Sequence, residues 1–559
     1  MSTFRSHAAA LAALVTLLSL VYFYNLGGWG LIEPDEGRYS EIPREMIASG
    51  DWVTPRLNGV KYFEKPVMYY WMVASSLKAF GPSELSARIP CAASALLGAM
   101  GTYAMGASYG PSAAFLGAFI TGTGFLWFAL AHITLTDMAL GAFMTLSMVL
   151  IFKGLTGSRP ALWLGYAAMG LSVLTKGLIG IVLPGLVFLT WIALTRRWRL
   201  ILKGISPVGI LAFLGVAGPW FYRVIKANPD FAWFFFVHEH LLRYSTMVSN
   251  RYQPWWFFLA ILPVALLPWT GTVLQGVVSA LGELRYLRSD VSSRIRDHET
   301  PSEAEEALFM LLWAAVILAF FSASRSKLIP YMVPAMPPLG LLGGIFLDRG
   351  LYGRRYGAVS LGFGITAVLM VLLGAALIVY PSYQDRFDPQ ALRQLGAVVG
   401  SVTIACGVIP LGVALMRRSP VAIGCVAAIV FLLAMKQVFP LVAQARSPKA
   451  LASMAQPLVT PDSRVIIYKD YDQAIPFYLN RTVTLVQEGG DYGELTFGYR
   501  AERPSWFTDP KGLQEMWQAE ACVMILRPEY LQEIQQLGLK YQVAGQDPAY
   551  YGKMILVNR

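Results

Sequence analysis

The chain has 559 residues, 55% apolar and 14% charged, with a mean hydropathy of +0.50. Soluble globular proteins carry about a quarter charged residues, so the composition excludes an ordinary soluble domain. The formal net charge of +11 does not argue for nucleic acid, because much of the excess lies in short loops between apolar runs, where it sets topology.

The first thirty residues, MSTFRSHAAALAALVTLLSLVYFYNLGGWG, resemble a signal peptide. The apolar run is too long for one, and no small-x-small cleavage site precedes the next charged loop, so a retained first helix is expected. Apolar runs of bilayer-spanning length, about 20 residues, predict thirteen spans: 8–27, 84–106, 111–130, 135–153, 161–176, 178–195, 204–222, 255–279, 305–323, 329–347, 356–380, 393–416 and 420–443. Lys176-Gly177 divides two short runs without a clear loop. With a cytoplasmic N-terminus, alternate loops hold Lys153 and Arg159; Arg196, Arg197, Arg199 and Lys203; Arg285, Arg288, Arg294 and Arg296; Arg349, Arg354 and Arg355; Arg417 and Arg418. That is the positive-inside pattern. It places the loop at 28–83, the loop at 223–254, the turn at 324–331 and the C-terminal tail outside, on the non-cytoplasmic side.

Residues 33–66 are dense in carboxylates, arginines and tyrosines. Here SEIPREMIASG and, just beyond, VMYYWMVASSLKAFG read as helices lying at the membrane interface. The transmembrane unit is thus 1–445. From 446 to 559 the composition is mixed. RVIIYKD, TVTLVQE, ACVMILR and KMILVNR read as strands, and TDPKGLQEMWQAE and RPEYLQEIQQLG as helices. Alternating strands and helices predict a small α/β domain. It lacks a Gly-rich phosphate loop and a catalytic triad pattern, which favours a lid over the membrane site. Tyr492, Gly493 and Glu494 are its candidates for touching substrate. Cys91, Cys406, Cys425 and Cys522 have no metal-ligand spacing and imply no disulfide framework.

Three groups are candidates for chemistry. Asp35 and Glu36 follow the first span, where ionisable groups are costly and tend to be functional; the bland alternative is a helix N-terminus that favours carboxylates. Asp137 opens the fourth span at the same level, and a cap is again the alternative. Arg38, Arg44, Lys61, Lys65, Arg88, Lys176, Arg243, Arg325 and Lys327 place positive charge on the outer side, against the topological bias. Anionic substrate groups supply a reason, since Arg binds phosphate bidentately and Lys as a point charge; singly, each is explained by snorkelling. His238 and His240, with Glu64 or Glu239, leave a divalent metal open. Side chains of an isolated His-x-His diverge on a helix, so the arrangement requires no cofactor.

The motifs PDEGRYSEIPREMIASGDWVTPRLNG, KYFEKPVMYYW, SELSARIP, TDMAL, LTKG, EHLLRY and SASRSKLIPYMVPAMPPL occur in this order through the membrane half. The outer Asp-Glu after the first span, with an Asp early in the fourth, resembles the GT-C glycosyltransferases that use polyprenyl-phosphate sugar donors, which include the protein O-mannosyltransferases. YFEKP together with SKLIPY is similar to the family of aminoarabinose:lipid A transferases. The resemblance implies a monomeric inverting enzyme. It would move 4-amino-4-deoxy-L-arabinose from undecaprenyl phosphate to a lipid A phosphate and so confer polymyxin resistance. It implies Asp35 and Asp137, with Glu36, as catalytic residues. Arg38, Lys65 and Lys176 would hold phosphates, and Tyr39, Tyr62, Tyr69 and Tyr331 would line a sugar pocket. Lys61, Glu64, Arg88, Arg243, Lys327 and Glu494 complete the implied substrate set, with Glu64 and His240 for any metal. Gly37 stands where many relatives have a polar residue, which leaves the catalytic reading intact.

The rivals are another lipid-sugar transferase, such as a protein mannosyltransferase, a transporter and an envelope scaffold. Phe63-Glu64-Lys65-Pro66 favours aminoarabinose. A transporter is disfavoured by the absence of an inverted repeat or paired broken helices, and a scaffold needs no carboxylates at membrane depth.

Overall fold

The computed structural model describes residues 6–242, 252–287, 300–352, 356–380, 389–416 and 418–558. Arg243 lies outside them, as do Arg288, Arg294, Arg296, Arg354, Arg355, Arg417 and the side chain of His240.

The apolar runs form helices, because a spanning segment must satisfy its backbone internally. Among the described residues, eight helices are long and apolar enough to cross a bilayer, or up to ten if two bent pairs each make one span. The pairs are Pro111–Thr123 with Phe125–Ala131, bent by 64°, and Phe257–Ala265 with Thr270–Tyr286, bent by 114°. Three expected spans fall short of that measure: His7–Phe23 and Ile179–Thr195 have 17 residues each, and Arg159–Lys176 carries charge at both ends. The count of thirteen is therefore not confirmed. Close helix contacts use glycine, as membrane packing favours. A Cβ at Gly344 would come within 2.2 Å of the Gly117 nitrogen, and one at Gly374 within 2.6 Å of the Gly400 carbonyl.

Asp35–Ser49 is a helix, as the sequence predicts, but it keeps no exposed face along most of its length. Every residue from Glu36 to Met46 is buried, because the C-terminal domain covers it. Met68–Phe80 keeps one buried face. Between them β1 (Arg56–Leu57) and β2 (Val60–Lys61) form a hairpin. Its Asn58-Gly59 turn has φ of +51° and +78°, the type I′ geometry that Asn-Gly favours.

The C-terminal segment carries β3 (Arg464–Tyr468), β4 (Thr484–Val486), β5 (Phe507–Thr508), β6 (Cys522–Leu526), β7 (Gln542–Gln546) and β8 (Met554–Val557), in the order β5-β4-β3-β6-β8-β7. The four expected strands are present; β5 and β7 are additional. β5, β4, β3 and β6 run parallel, and β8 and β7 are antiparallel. Successive strand residues face opposite ways. Ile466, Tyr468, Met524 and Leu556 pack with Leu513 and Trp517 of Pro510–Ala519, whose N-cap is Asp509. Val465, Ile467, Val523 and Ile525 join the core that continues into the membrane half.

Polar bonds weld this domain to the first loop. The Asn58 side chain exchanges two bonds with the Val483 backbone at 2.8 and 2.9 Å. Arg56 reaches Glu502 at 3.0 Å, and Trp506 Nε1 donates to the Asn58 carbonyl at 3.0 Å. The Tyr478 hydroxyl accepts from Leu31 N at 2.8 Å and donates to Glu84 at 3.1 Å.

Candidate active site

The segment that carries Asp35 is fixed by a buried ion pair. Arg88 and Glu36 side chains are 0% exposed. Arg88 Nε donates to Glu36 Oε1 at 2.8 Å and Nη2 to Oε2 at 2.7 Å; its other N–H groups reach the carbonyls of Leu26, Trp29 and Gly30 at 2.8–3.1 Å. Glu36 also accepts from Ile32 N and Thr134 N, each at 2.9 Å. A guanidinium has five donors and a carboxylate about four acceptor sites, so both groups are saturated. The Trp29 ring covers Arg88 at 4.6 Å. Glu36 and Arg88 were expected to act on substrate; the structure leaves neither with a site for it. The pair ties the loop after the first helix to the segment before Asp137.

Asp35 begins its helix with a side chain 48% exposed, 3.5 Å from Arg38 Nη1. Arg38 Nε lies 2.7 Å from Glu494 Oε2. That contact is between charges and is not an aligned hydrogen bond, since the Nε–H has no acceptor along its axis. Glu494 is also held by the Tyr62 hydroxyl at 3.3 Å and Gln473 Nε2 at 2.6 Å. Burial pushes the Glu494 carboxyl up, Arg38 opposes it, and Glu64 adds to the rise. Arg38, Glu64, His238, Glu239, Gln473 and Glu494 share a cavity of about 620 Å³ whose outer wall is the C-terminal domain. Tyr492 and Gly493 line it too.

A second cluster pairs Asp137 with Lys176. Asp137 is in the first turn of Thr136–Thr156, and Lys176 is in the last turn of Arg159–Lys176. Each charge suits its helix end. Gly177, at φ +81°, stops the second helix directly after Lys176 and explains the break without a loop. Lys176 Nζ meets Asp137 Oδ1 at 2.5 Å, with Asp137 only 9% exposed, and sits 4.8 Å over the Tyr331 ring. Tyr39 joins the two clusters. Burial raises its hydroxyl pKa; Arg38 opposes this, and the Asp35, Glu64 and Asp137 carboxylates reinforce it.

Lys65 donates to the Glu64 carbonyl at 2.8 Å and lies 3.9 Å from Glu239, two residues that line the cavity. Other expected residues are placed elsewhere. Tyr69 is 0% exposed with its hydroxyl 3.0 Å from Cys91 Sγ. Lys61 is in the hairpin, its N–H donating to Glu502 at 3.2 Å. Lys327 is 4% exposed and donates to the carbonyls of Gln253 and Ser324, closing a turn. Arg44 is bidentate to Glu41 at 2.6 and 2.7 Å. Among the described residues no three His, Cys, Asp or Glu side chains converge as metal ligands; Glu64, His238 and Glu239 line one cavity. The sequence offered no signal for Tyr471 and Gln473, which also line it.

Residues 451–556 match the model of the aminoarabinose transferase C-terminal domain, and residues 64–222 that of dolichyl-phosphate-mannose-protein mannosyltransferase. The chain is 33% identical over 401 residues to an undecaprenyl phosphate-alpha-4-amino-4-deoxy-L-arabinose arabinosyl transferase of Pseudomonas aeruginosa, covering 69% of each. It is 32% identical over 375 residues to one of Proteus mirabilis, covering 66% of this chain and 64% of that protein. The crystal structure of ArnT from Cupriavidus metallidurans bound to undecaprenyl phosphate superposes with a TM-score of 0.83 at 28% identity, over 99% of both chains. The apo state of that protein gives 0.80 at 29% identity, with the same coverage. With that kinship over two thirds of its length and a matching fold throughout, the chain is a multi-pass membrane glycosyltransferase of the undecaprenyl phosphate-aminoarabinose arabinosyl transferase family.

Proposed function

We propose that this enzyme moves 4-amino-4-deoxy-L-arabinose from undecaprenyl phosphate to a phosphate of lipid A. It would act as a monomer on the periplasmic side of the inner membrane and lower binding of polymyxin. The observation that carries this reading is a pair of charge systems joined at Tyr39. Arg38, Glu64 and Glu494 line a cavity of about 620 Å³, and Asp137 with Lys176 forms the second system. The chain works as two units, 1–445 and 446–559, the second closing the first.

The acceptor phosphate is already an anion and needs positioning more than deprotonation. One of its oxygens attacks the anomeric carbon as the bond from that carbon to the undecaprenyl phosphate oxygen breaks, with inversion. Negative charge grows on the leaving phosphate. Lys65 and Lys176 stabilise it as preorganised cations, while Arg38 orients an incoming phosphate and Asp35 the acceptor or the sugar amine. Asp137 holds Lys176 in place. Tyr39, Tyr62 and Tyr331 border the sugar. Glu36 and Arg88 set this geometry without touching it.

Mass spectrometry of lipid A from cells with and without the protein tests the reading. One added aminopentose is the expected difference; an unchanged lipid A beside a newly mannosylated protein would replace it with the mannosyltransferase reading. Lys65→Ala should lower transfer at least about tenfold at matched membrane levels, and near-normal transfer would make Lys65 a surface group. A C-terminal alkaline phosphatase fusion should be active. Silence there, with fluorescence from a green fluorescent protein fusion, would reverse the topology.

A further inference from the structure

The segment 470–474 leaves the carboxyl end of β3, beside the point where strand order reverses between β3 and β6. Open α/β sheets bind ligands in that crevice. Alternate residues of the segment are anchored. Asp470 Oδ2 takes Arg527 Nε and Lys553 Nζ, both at 2.9 Å. The Asp472 carboxylate takes Lys553 Nζ at 2.6 and 2.7 Å and the Tyr550 hydroxyl. Ala474 N donates to Glu33 Oε1 at 2.5 Å, which links the segment to the strand of chain just before Asp35. The residues between, Tyr471 and Gln473, line the cavity. Gln473 is 8% exposed, and its amide holds Glu494 Oε1 while Arg38 and Tyr62 hold Oε2. The buried Tyr471 hydroxyl feels the carboxyl groups of Glu41, Glu45, Glu494 and Glu33.

An aromatic ring, an amide and a carboxylate steered by both an amide and an arginine form a wall suited to a sugar that bears an ammonium group. The ring accepts the apolar C–H face, and the carboxylate accepts the charged amine. We propose that Tyr471 and Gln473 are specificity-determining residues, through which the C-terminal domain reads the transferred amino sugar. Gln473 acts by holding Glu494 Oε1 apart from the Arg38-bound Oε2; without it both oxygens turn to Arg38 and the carboxylate no longer meets the amine. This inference rests on the transfer reading above.

The test uses purified full-length protein and two short-chain polyprenyl-phosphate donors, one with the 4-amino pentose and one with the same sugar bearing a 4-hydroxyl. The kcat/KM ratio of the two donors is the readout, with unfolding temperatures matched. Wild type is expected to favour the amine, and Gln473→Ala to reduce that preference at least about tenfold. Tyr471→Leu should lower kcat/KM for both donors about tenfold, mainly through KM, and Tyr471→Phe should recover most of the loss. A ratio unchanged in Gln473→Ala, with wild-type turnover intact, overturns this inference and leaves the transfer reading standing. A wild type that uses neither donor overturns both. If Gln473→Ala fails to fold, Gln473→Glu carries the same test, because it replaces the steering amide with a repelling carboxylate. An unchanged ratio there is equally fatal.

Discussion

Arg88→Met should cost about 3–5 kcal/mol of stability, the range for removing one partner of a buried ion pair. The cause is the acid left behind. Glu36 is 0% exposed and would keep only the Ile32 and Thr134 N–H groups. Three backbone carbonyls, of Leu26, Trp29 and Gly30, would lose their donor as well. Arg88→Lys should rescue little, since a point charge with three donors cannot replace a five-donor fork. The double variant Glu36→Gln with Arg88→Met should regain part of the loss, because no buried charge is then stranded. Unfolding of the detergent-purified variants, followed by thermal or denaturant titration, measures this. An Arg88→Met protein within about 1 kcal/mol of wild type would mean the pair is hydrated in the membrane and does not set the loop.

That pair also marks the limit of what the sequence made legible. Asp35, Arg38, Tyr39, Asp137, Lys176 and Glu494 were marked as candidates by residue type, outer position or family motif; Arg38 meets Glu494, and Arg38, Asp35 and Asp137 all act on the Tyr39 hydroxyl. Glu36 carries the same signal as Asp35, yet one residue along a helix turns it by about 100°, into the protein and onto Arg88. Nothing in a linear string distinguishes a carboxylate that faces a cavity from its neighbour that fills a guanidinium. The burial of the helix at 35–49 was hidden for a related reason. Its mixed charges suggest an interfacial surface, and its burial becomes apparent only when each charge is given its partner. Arg38 meets Glu494 and Arg44 meets Glu41, while Glu45 accepts from Gly59 N. Two of the partners, Glu494 and Asn480 beside Arg44, are more than four hundred residues away. The strands of the C-terminal domain were readable from β-branched runs. β5 and β7 were not, because they are short or Gly- and Gln-containing. The role of residues 470–474 was hidden too, because their order depends on Arg527, Tyr550 and Lys553 at the far end of the chain.

Asp35→Asn and Asp137→Asn should each lower turnover at least about tenfold, equal to about 1.4 kcal/mol of barrier. Asparagine keeps the size and most of the hydrogen bonding, so the substitution isolates charge. The two losses should differ in kind. Asp35 is half exposed and lies 3.5 Å from Arg38, so its charge is open to a ligand; its loss should fall on kcat. Asp137 is 9% exposed and spends its charge on Lys176, 2.5 Å away. Asp137→Asn therefore acts through Lys176, and Lys176→Met should reproduce much of its defect. Once Lys176 is methionine, adding Asp137→Asn should change little, because the partner it aimed is gone. Asp35 and Asp137 both act on the Tyr39 hydroxyl, and in the proposed transfer both serve one donor–acceptor pair. Residues that act as a unit are non-additive. Combining Asp35→Asn with Asp137→Asn should thus be little worse than the poorer single variant. Lipid A modification in a polymyxin-challenged strain at matched expression is the measurement. Wild-type modification by either single variant removes that residue from the mechanism. Losses that multiply fully would place the two carboxylates in separate steps, one holding the donor phosphate and the other the acceptor.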